Sequence, residues 1–347
     1  MEFKERIDSF LSLGKVISDW LPGNQSKKHT LTEAVSRSYA NNSWFTHENQ
    51  VMALKAISLM ISEDSLKRWL SDYNELFSEI KTPKAIAVVM AGNIPLVGFH
   101  DLLCVLLSGH KIVMKCSKDD PYLIPALVDL LKGIDSRWSE RIVFTDGPLK
   151  NFDAIIATGG NNTSRYFEYY FGKVPHIIRH HRNSIAVLTG SEDEKMLQGL
   201  AGDVLSYFGL GCRNVSKIYV PVDYDFTKLR DAFVTYQHYL HHHKFRNNFE
   251  YNKSLLMLNQ IPYYELSPLL LMESDKLSSR IAVLHYSYYN EIEEVIREIS
   301  DKKDELQCIV SHRKFLQGVI EPGRAQYPGP EEYADGVDTL RFLSGIE

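Results

Sequence analysis

The sequence predicts an α/β protein with three parts: a helical N-terminal region, a domain built on a parallel sheet, and a second α/β domain. Three observations carry this. Apolar residues over positions 1–80 recur at helical spacing. From Lys84 onward, short continuous apolar runs alternate with helical patterns, which marks strands buried on both faces and joined by crossover helices. Beyond Lys217-Ile-Tyr-Val220 the alternation resumes with a fresh set of strands.

Taken in order, Phe3, Ile7, Phe10 and Leu11, then Val16, Ile17 and Trp20, form one helix face, and Pro22-Gly23 stops that helix. Thr46-His-Glu-Asn49 introduces a helix over Val51 to Met60, and Ser65 to Leu76 continues the pattern. This region reads as a helical cover that carries substrate or subunit contacts, without chemistry of its own. Ala85 to Met90 is a strand, ending in Ala91-Gly-Asn93-Ile-Pro95. A helix follows over Val97 to Ser108, then a strand over Ile112 to Lys115, ending in Cys116-Ser117. Asp120-Pro121 opens a helix running to about Lys132, with Pro in its first turn. Arg141 to Phe144 and Ala154 to Ala157 are two more strands, the second ending in Thr158-Gly-Gly-Asn161. Ligands of such a sheet bind at the carboxyl ends of the strands, where Asn93, Lys115, Ser117 and Gly159-Gly160 fall. Ser164 to Phe171 is an aromatic helix, Ile185 to Leu188 a strand, and Asp193 to Phe208 a helix. After the Lys217 strand come a long helix over Thr227 to Lys244, an extended piece at Leu255 to Leu258 and a strand at Arg280 to Leu284. A helix around Glu291–Glu305, a last strand at Leu306 to Val310 and a helical end near Thr339–Leu343 complete the chain.

With 347 residues, 44% hydrophobic and 24% charged, the chain has globular composition and ample core material. A net charge of −5 offers no basic field for nucleic acid or an anionic membrane. The N-terminus carries acids where a signal peptide carries only bases, and no apolar run approaches the about 18 residues of a membrane span. Cys104, Cys116, Cys212 and Cys308 are scattered without a CxxC pair, as expected of a reduced, cytoplasmic protein. The Asn-x-Ser/Thr triplets at Asn24, Asn161 and Asn214 then carry no glycan meaning.

The stretch Tyr207-Phe-Gly-Leu-Gly-Cys212-Arg213 holds the strongest chemical signal. A helical pattern ends in two glycines, a cysteine follows, and an alternating strand begins. A thiolate on a sharp, open turn attacks acyl carbons well, and Arg213 would favour that thiolate. A helix C-cap beside a small buried Cys gives the same pattern, so both readings stand at this point. Other motifs fail. There is no GxxxxGK[ST], no GxGxxG after a strand and no GxSxG elbow. His238 and His242 have i, i+4 spacing within the His238–His243 cluster, but no HExxH glutamate accompanies them and no metal is expected. Arg179-His180-His181-Arg182 is either an anion-facing loop or plain surface.

Together these pieces resemble the aldehyde dehydrogenase superfamily, and more closely its acyl-CoA reductase (LuxC-type fatty-acid reductase) branch. The resemblance covers roughly residues 85–347. Ala91-Gly-Asn93-Ile-Pro-Leu96 is similar to the family's Pro-Trp-Asn-Phe-Pro segment with the Trp lost, and Val-Met-Lys115-Cys-Ser117 to its Val-Leu-Lys-Pro-Ser segment. Thr158-Gly-Gly-Asn161 resembles the turn beside the pyrophosphate, and Cys212 before its strand matches the catalytic cysteine. Tyr333-Ala-Asp-Gly-Val-Asp-Thr339 with Phe342 resembles a closing segment that returns to the active-site region. The glutamate that activates water in hydrolytic members is absent: its neighbourhood reads Ile177-Ile-Arg179-His180-His181-Arg182.

The resemblance implies a Rossmann-type cofactor domain at 81–208, a catalytic domain at 209–325, a helical region at 1–80 and a closing segment at 326–347. It implies Cys212 as nucleophile, Asn93 as oxyanion donor, and NADPH held by Lys115, Ser117, Gly147, Thr158, Gly159, Gly160 and Asn161. It implies an acyl-CoA or other acyl-thioester substrate, a homo-oligomer, and an acyl-activating synthetase as a further partner. An acyl-enzyme lacking a water-activating base persists long enough to be reduced. His181 is an alternative acid or base. Tyr166, Phe167, Tyr169, Tyr170 and Phe171 either line an acyl tunnel or pack the core.

Overall fold

The expected strand–helix alternation folds into two units, residues 1–181 with 327–347, and residues 182–326. The computed structural model describes residues 1–21, 30–77 and 82–346, with the backbone alone at Asn161–Thr163. Pro22-Gly23 and Asn24 lie outside the described residues.

The first unit opens with helices α1 (Phe3–Trp20), α2 (Thr30–Asn41), α3 (His47–Met60), α4 (Glu63–Leu70) and α5 (Asn74–Phe77). Then β1 (Ala85–Val89), α6 (Phe99–Ser108), β2 (Lys111–Lys115), α7 (Leu123–Ile134), β3 (Ile142–Phe144), β4 (Ala154–Thr158), α8 (Asn161–Phe171) and β5 (His176–Arg179) alternate. The strands form an all-parallel sheet in the order β3-β2-β1-β4-β5. Ile86, Ala87 and Val88 are fully buried, which explains why β1 reads as an unbroken apolar run. Arg6 of α1 is buried and donates to the carbonyl oxygens of Leu107 (2.9 Å) and Phe77 (3.0 Å), stapling the helical cover to the sheet unit. Burial pulls its pKa down to about 10.

The second unit comprises β6 (Asn183–Val187), α9 (Glu194–Leu205), β7 (Val215–Pro221), α10 (Thr227–Phe233), α11 (His243–Leu258), β8 (Tyr264–Glu265), β9 (Leu270–Glu273), β10 (Val283–Tyr289), α12 (Ile292–Asp301), β11 (Leu306–Val310) and β12 (Val319–Ile320). Its sheet runs β12-β11-β6-β7-β10-β9-β8, parallel except where β8 meets β9. Ile185, Val187, Tyr219, Val295 and Ile299 pack one of its cores. The chain then rejoins the first unit through α13 (Thr339–Ser344), where the Leu343 carbonyl lies 3.0 Å from His110 Nε2.

Several expectations need correction. The expected division at 208/209 falls inside the second unit, because β6 pairs with β7 and β11. The helix expected over Thr227–Lys244 breaks into α10, a 3-10 stretch Val234–His241 and the start of α11. His242 ends the 3-10 stretch and caps the new helix, its Nδ1 accepting from Phe245 N–H at 3.3 Å. Leu255–Leu258 is the last turn of α11, not an extended piece. Its one buried residue, Leu256, continues the face of Phe245, Phe249 and Asn252, while Met257 and Leu258 are exposed. Ala282, with φ of 62°, makes the turn that delays β10 to Val283.

Candidate active site

In the first unit, Val89 at the end of β1 sits in register between Lys115 of β2 and Ala157 of β4. The loops after these strands therefore leave the sheet at one level. β2 and β3 lie on one side of β1, and β4 and β5 on the other. The β1/β4 gap is thus a topological switch point, where parallel sheets bind ligands. Lys115 Nζ donates to the Gly147 carbonyl at 3.2 Å, bringing together two residues the sequence nominated separately. Gly159 N–H donates to the Arg179 carbonyl at 3.4 Å, and Gly160 starts α8. A Cβ at Gly160 would meet nothing within 4 Å, and its φ of −69° suits any residue. The fold does not itself require glycine there. The space left open at this helix N-terminus has the form in which a pyrophosphate can be held. The residues present thus fit a dinucleotide. The Asn161 side chain lies outside the described residues.

Asn93 is exposed in the loop after β1. Gly92 beside it is required by packing, since a Cβ there would lie 2.4 Å from Ser117 Oγ. Ser117 Oγ accepts from Asp119 N–H at 3.2 Å and so shapes the loop after β2.

Cys212 belongs to the second unit. The helix expected to run to Phe208 ends at Leu205, and Tyr207, Phe208 and Gly209 follow in the left-handed region at φ 52°, 58° and 75°. Two bulky residues there are a backbone cost that surrounding contacts must hold in place. Phe208 is held by rings of Tyr239, His242 and Phe245 at 4.4, 4.6 and 5.6 Å. Asn214 is buried, and its side chain clamps the turn from inside. Its Oδ1 accepts from Gly211 N–H at 2.8 Å, and its Nδ2 donates to the Asp203, Val204 and Ser206 carbonyls at 3.0, 3.3 and 2.8 Å. Ser184 Oγ on β6 holds the Cys212 carbonyl at 2.9 Å. Asp203, also buried, accepts from Gly323 and Ala325 N–H groups at 2.7 and 3.0 Å, and Arg213 Nε donates to the Ala325 carbonyl at 2.6 Å.

Sequence reasoning missed Asn214, Asp203 and Ser184. Only Asn214 carries a signal beyond its glycan triplet, since an Asn side chain in a turn readily bonds nearby backbone. Among the other cysteines, Cys104 and Cys308 are buried. Burial raises the Cys104 thiol well above its usual range, and burial with the neighbouring Asp120 carboxylate pushes Cys116 up to about 12. Neither offers a thiolate at neutral pH.

The basic loop divides. Arg179 is buried, and its guanidinium is taken up inside the protein: it bridges the Asp101 carboxylate, with Nη1 to Oδ2 at 2.9 Å and Nη2 to Oδ1 at 2.7 Å, and reaches Thr339 Oγ1 at 3.1 Å. His180 and His181 are exposed, His180 lying 3.7 Å from Glu168. The aromatic supply of α8 divides too. Phe167 and Phe171 pack against Ala87, Ile155 and Ala157, while Tyr166, Tyr169 and Tyr170 line an open recess of about 610 Å³ with Arg165. Among the described residues no helix is long and apolar enough to cross a membrane.

Comparison with known proteins bears on this geometry. A curated long-chain acyl-protein thioester reductase of Aliivibrio fischeri is 24% identical over 153 residues, covering 40% of this chain and 32% of its own length. Long-chain acyl-protein thioester reductase 2 of Photobacterium leiognathi is 26% identical over 153 residues with the same coverage. The match thus spans about a third of the length of these relatives. Among solved structures, the aldehyde dehydrogenase of Bacillus cereus, in its NAD+ complex, superposes with a TM-score of 0.61 at 12% identity, covering 90% of this chain and 73% of that one. The fold is therefore that of aldehyde dehydrogenases. A family model described as Acyl-CoA reductase (LuxC) matches residues 20–231, a stretch that contains Asn93, Lys115, the Gly159-Gly160 turn and Cys212, and the chain belongs to that family.

Proposed function

We propose that the protein reduces a fatty acyl thioester to the aldehyde through an acyl-enzyme on Cys212. The observation that carries this reading is the left-handed turn at Tyr207–Gly209, which delivers Cys212 to the start of β7 on a backbone fixed by Asn214 and Ser184. The Cys212 Sγ attacks the acyl carbon, and the donor thiol departs with the Cys212 proton. The Asn93 amide and the Cys212 N–H donate to the developing oxyanion. No carboxylate stands in the sequence where hydrolytic relatives place their water-activating glutamate, so the acyl group stays on sulfur. NADPH, in this reading, would supply a hydride to the acyl carbon, whose bond to the Cys212 sulfur then breaks to release the aldehyde and return the thiolate. Lys115, Ser117, Gly147, Thr158, Gly159, Gly160 and Asn161 would hold it, the helix N-terminus of α8 suiting the pyrophosphate. Lys115 offers the positive charge a 2′-phosphate needs. The acyl donor is CoA or a protein-bound thioester; the names of the curated relatives favour the latter.

The test is intact mass after incubation with a long-chain acyl-CoA, followed by NADPH absorbance. The expected result is one acyl adduct, missing in Cys212→Ala, and loss of NADPH absorbance as it clears. An adduct that survives Cys212→Ala sinks the scheme, and an adduct that NADPH never clears makes the protein an acyltransferase.

A further inference from the structure

We infer that Asp120 is a positioning residue for the oxyanion donor, holding the Asn93 loop in its working shape. The inference rests on the proposed role of Asn93 and adds a residue that no motif points to.

Asp120 is 4% exposed, and its two carboxylate oxygens go to two different elements. Oδ2 accepts from Leu96 N–H, in the loop after β1, at 2.9 Å. Oδ1 accepts from Leu123 N–H, the first residue of α7, at 3.4 Å. The shorter bond therefore serves the loop, and the helix start takes the longer one. A helix cap alone needs one oxygen, which Ser, Thr or Asn supplies without burying a charge. Burial pushes the Asp120 carboxyl up to about 6, against the pull of those two N–H groups, so the site carries a buried charge at neutral pH for the sake of two backbone donors.

The Leu96 end of the loop needs that hold. Leu96 has φ of 62°, an uncommon conformation for a branched side chain, which persists only where surroundings impose it. Its carbonyl accepts from Phe99 N–H at 3.0 Å, so the same residue also launches α6. At the other end, Gly92 sits tight against Ser117, and Ser117's carbonyl accepts from Asp120 N–H at 3.2 Å. The exposed Asn93 thus stands between two anchors, and both lead back to the 117–120 loop. Removing the carboxylate frees Leu96 to return to an ordinary φ and moves the backbone that carries the amide.

The experiment is a double-mutant cycle on the single-turnover rate of Cys212 acylation by a long-chain acyl-CoA, with wild type, Asn93→Ala, Asp120→Ala and the double variant. Asn93→Ala is expected to slow acylation by about 100-fold. Asp120→Ala should slow it by about 10-fold, as displacement of a catalytic group does, with the KM for acyl-CoA changed less than about 2-fold. In the Asn93→Ala background the second change should add less than about 2-fold, because the residue being positioned is gone. Where Asp120→Ala does not give folded protein, Asp120→Asn, which keeps one acceptor oxygen, runs the same cycle with the same criterion. Multiplying effects, or an unchanged rate in the single Asp120 variant, overturn the inference while the Cys212 scheme stands. A wild type that takes no acyl group overturns both, and is recognised before any variant is made.

Discussion

Ser184 Oγ on β6 donates to the carbonyl oxygen of Cys212 at 2.9 Å, tying the nominated nucleophile to the strand beside its own. Asn214 braces the turn from within, with four bonds to Gly211, Asp203, Val204 and Ser206. Ser184→Ala should therefore cost about 1 kcal/mol of stability and slow acylation. Asn214→Ala, which strands a buried N–H and three carbonyls, should cost about 2–4 kcal/mol. Urea unfolding ranks the two. Equal and negligible losses would mean that the turn holds itself.

Gly160 and Gly92 should separate binding from folding. Gly160→Ser places new atoms where a Cβ meets nothing within 4 Å, and Ser is a good first residue for a helix. Its unfolding midpoint should match wild type while dinucleotide affinity falls about 10-fold, read by quenching of NADPH fluorescence. Gly92→Ala drives a Cβ to 2.6 Å from Ser117 Cβ and should lose about 1–3 kcal/mol. Undiminished NADPH affinity in Gly160→Ser would remove the start of α8 from the cofactor site.

Two buried carboxyls set a pH signature. Burial pushes Asp203 up to about 7 and Asp120 up to about 6, from 3.8 in the unfolded chain. Between those values the folded chain keeps a proton that the unfolded chain has released, so these groups lower stability as pH rises. The loss begins above about 3.8 and is complete above about 6 for Asp120 and about 7 for Asp203. Asp203→Asn should flatten the fall in the urea midpoint between pH 4 and 7 relative to wild type. Parallel pH profiles for the two proteins would contradict the assignment.

The Arg179–Asp101 bridge is buried at both ends, with side-chain exposures of 7% and 4%. Arg179→Met leaves Asp101 charged and unpaired and should cost about 3–5 kcal/mol, whereas Arg179→Met with Asp101→Leu should recover most of that. A double variant as weak as the single one would show that Thr339, not Asp101, is the partner that matters.

Much of the fold was legible because it rests on local signals. The β1 run, the Gly159-Gly160 turn and the break before Cys212 are each written within a few neighbouring residues. What escaped the sequence is non-local. β6 belongs with the second unit because it pairs with β11, whose residues Leu306–Val310 lie far along the chain. Leu255–Leu258 looked extended because four apolar residues in a row suggest a strand, yet only the phase of Phe245 and Phe249 shows that a helix continues. Cys212 was visible as a residue type in a turn; the left-handed backbone at Tyr207 and Phe208 was not, since neither residue favours it. Asp120-Pro121 has the local pattern of a helix opening, and nothing local reveals that the shorter bond of Asp120 reaches back to Leu96.

The last stretch of the chain has its own consequence. Tyr333 accepts from Trp69 Nε1 at 2.8 Å and donates to Tyr73, Tyr73 donates to Asp338 at 2.8 Å, and Thr339 meets Arg179. A ribosome making this polypeptide releases all of residues 182–326 before it makes these closing contacts. The first unit, begun earliest, must wait with its Trp69, Tyr73 and Arg179 partners missing while its neighbour is already free to fold.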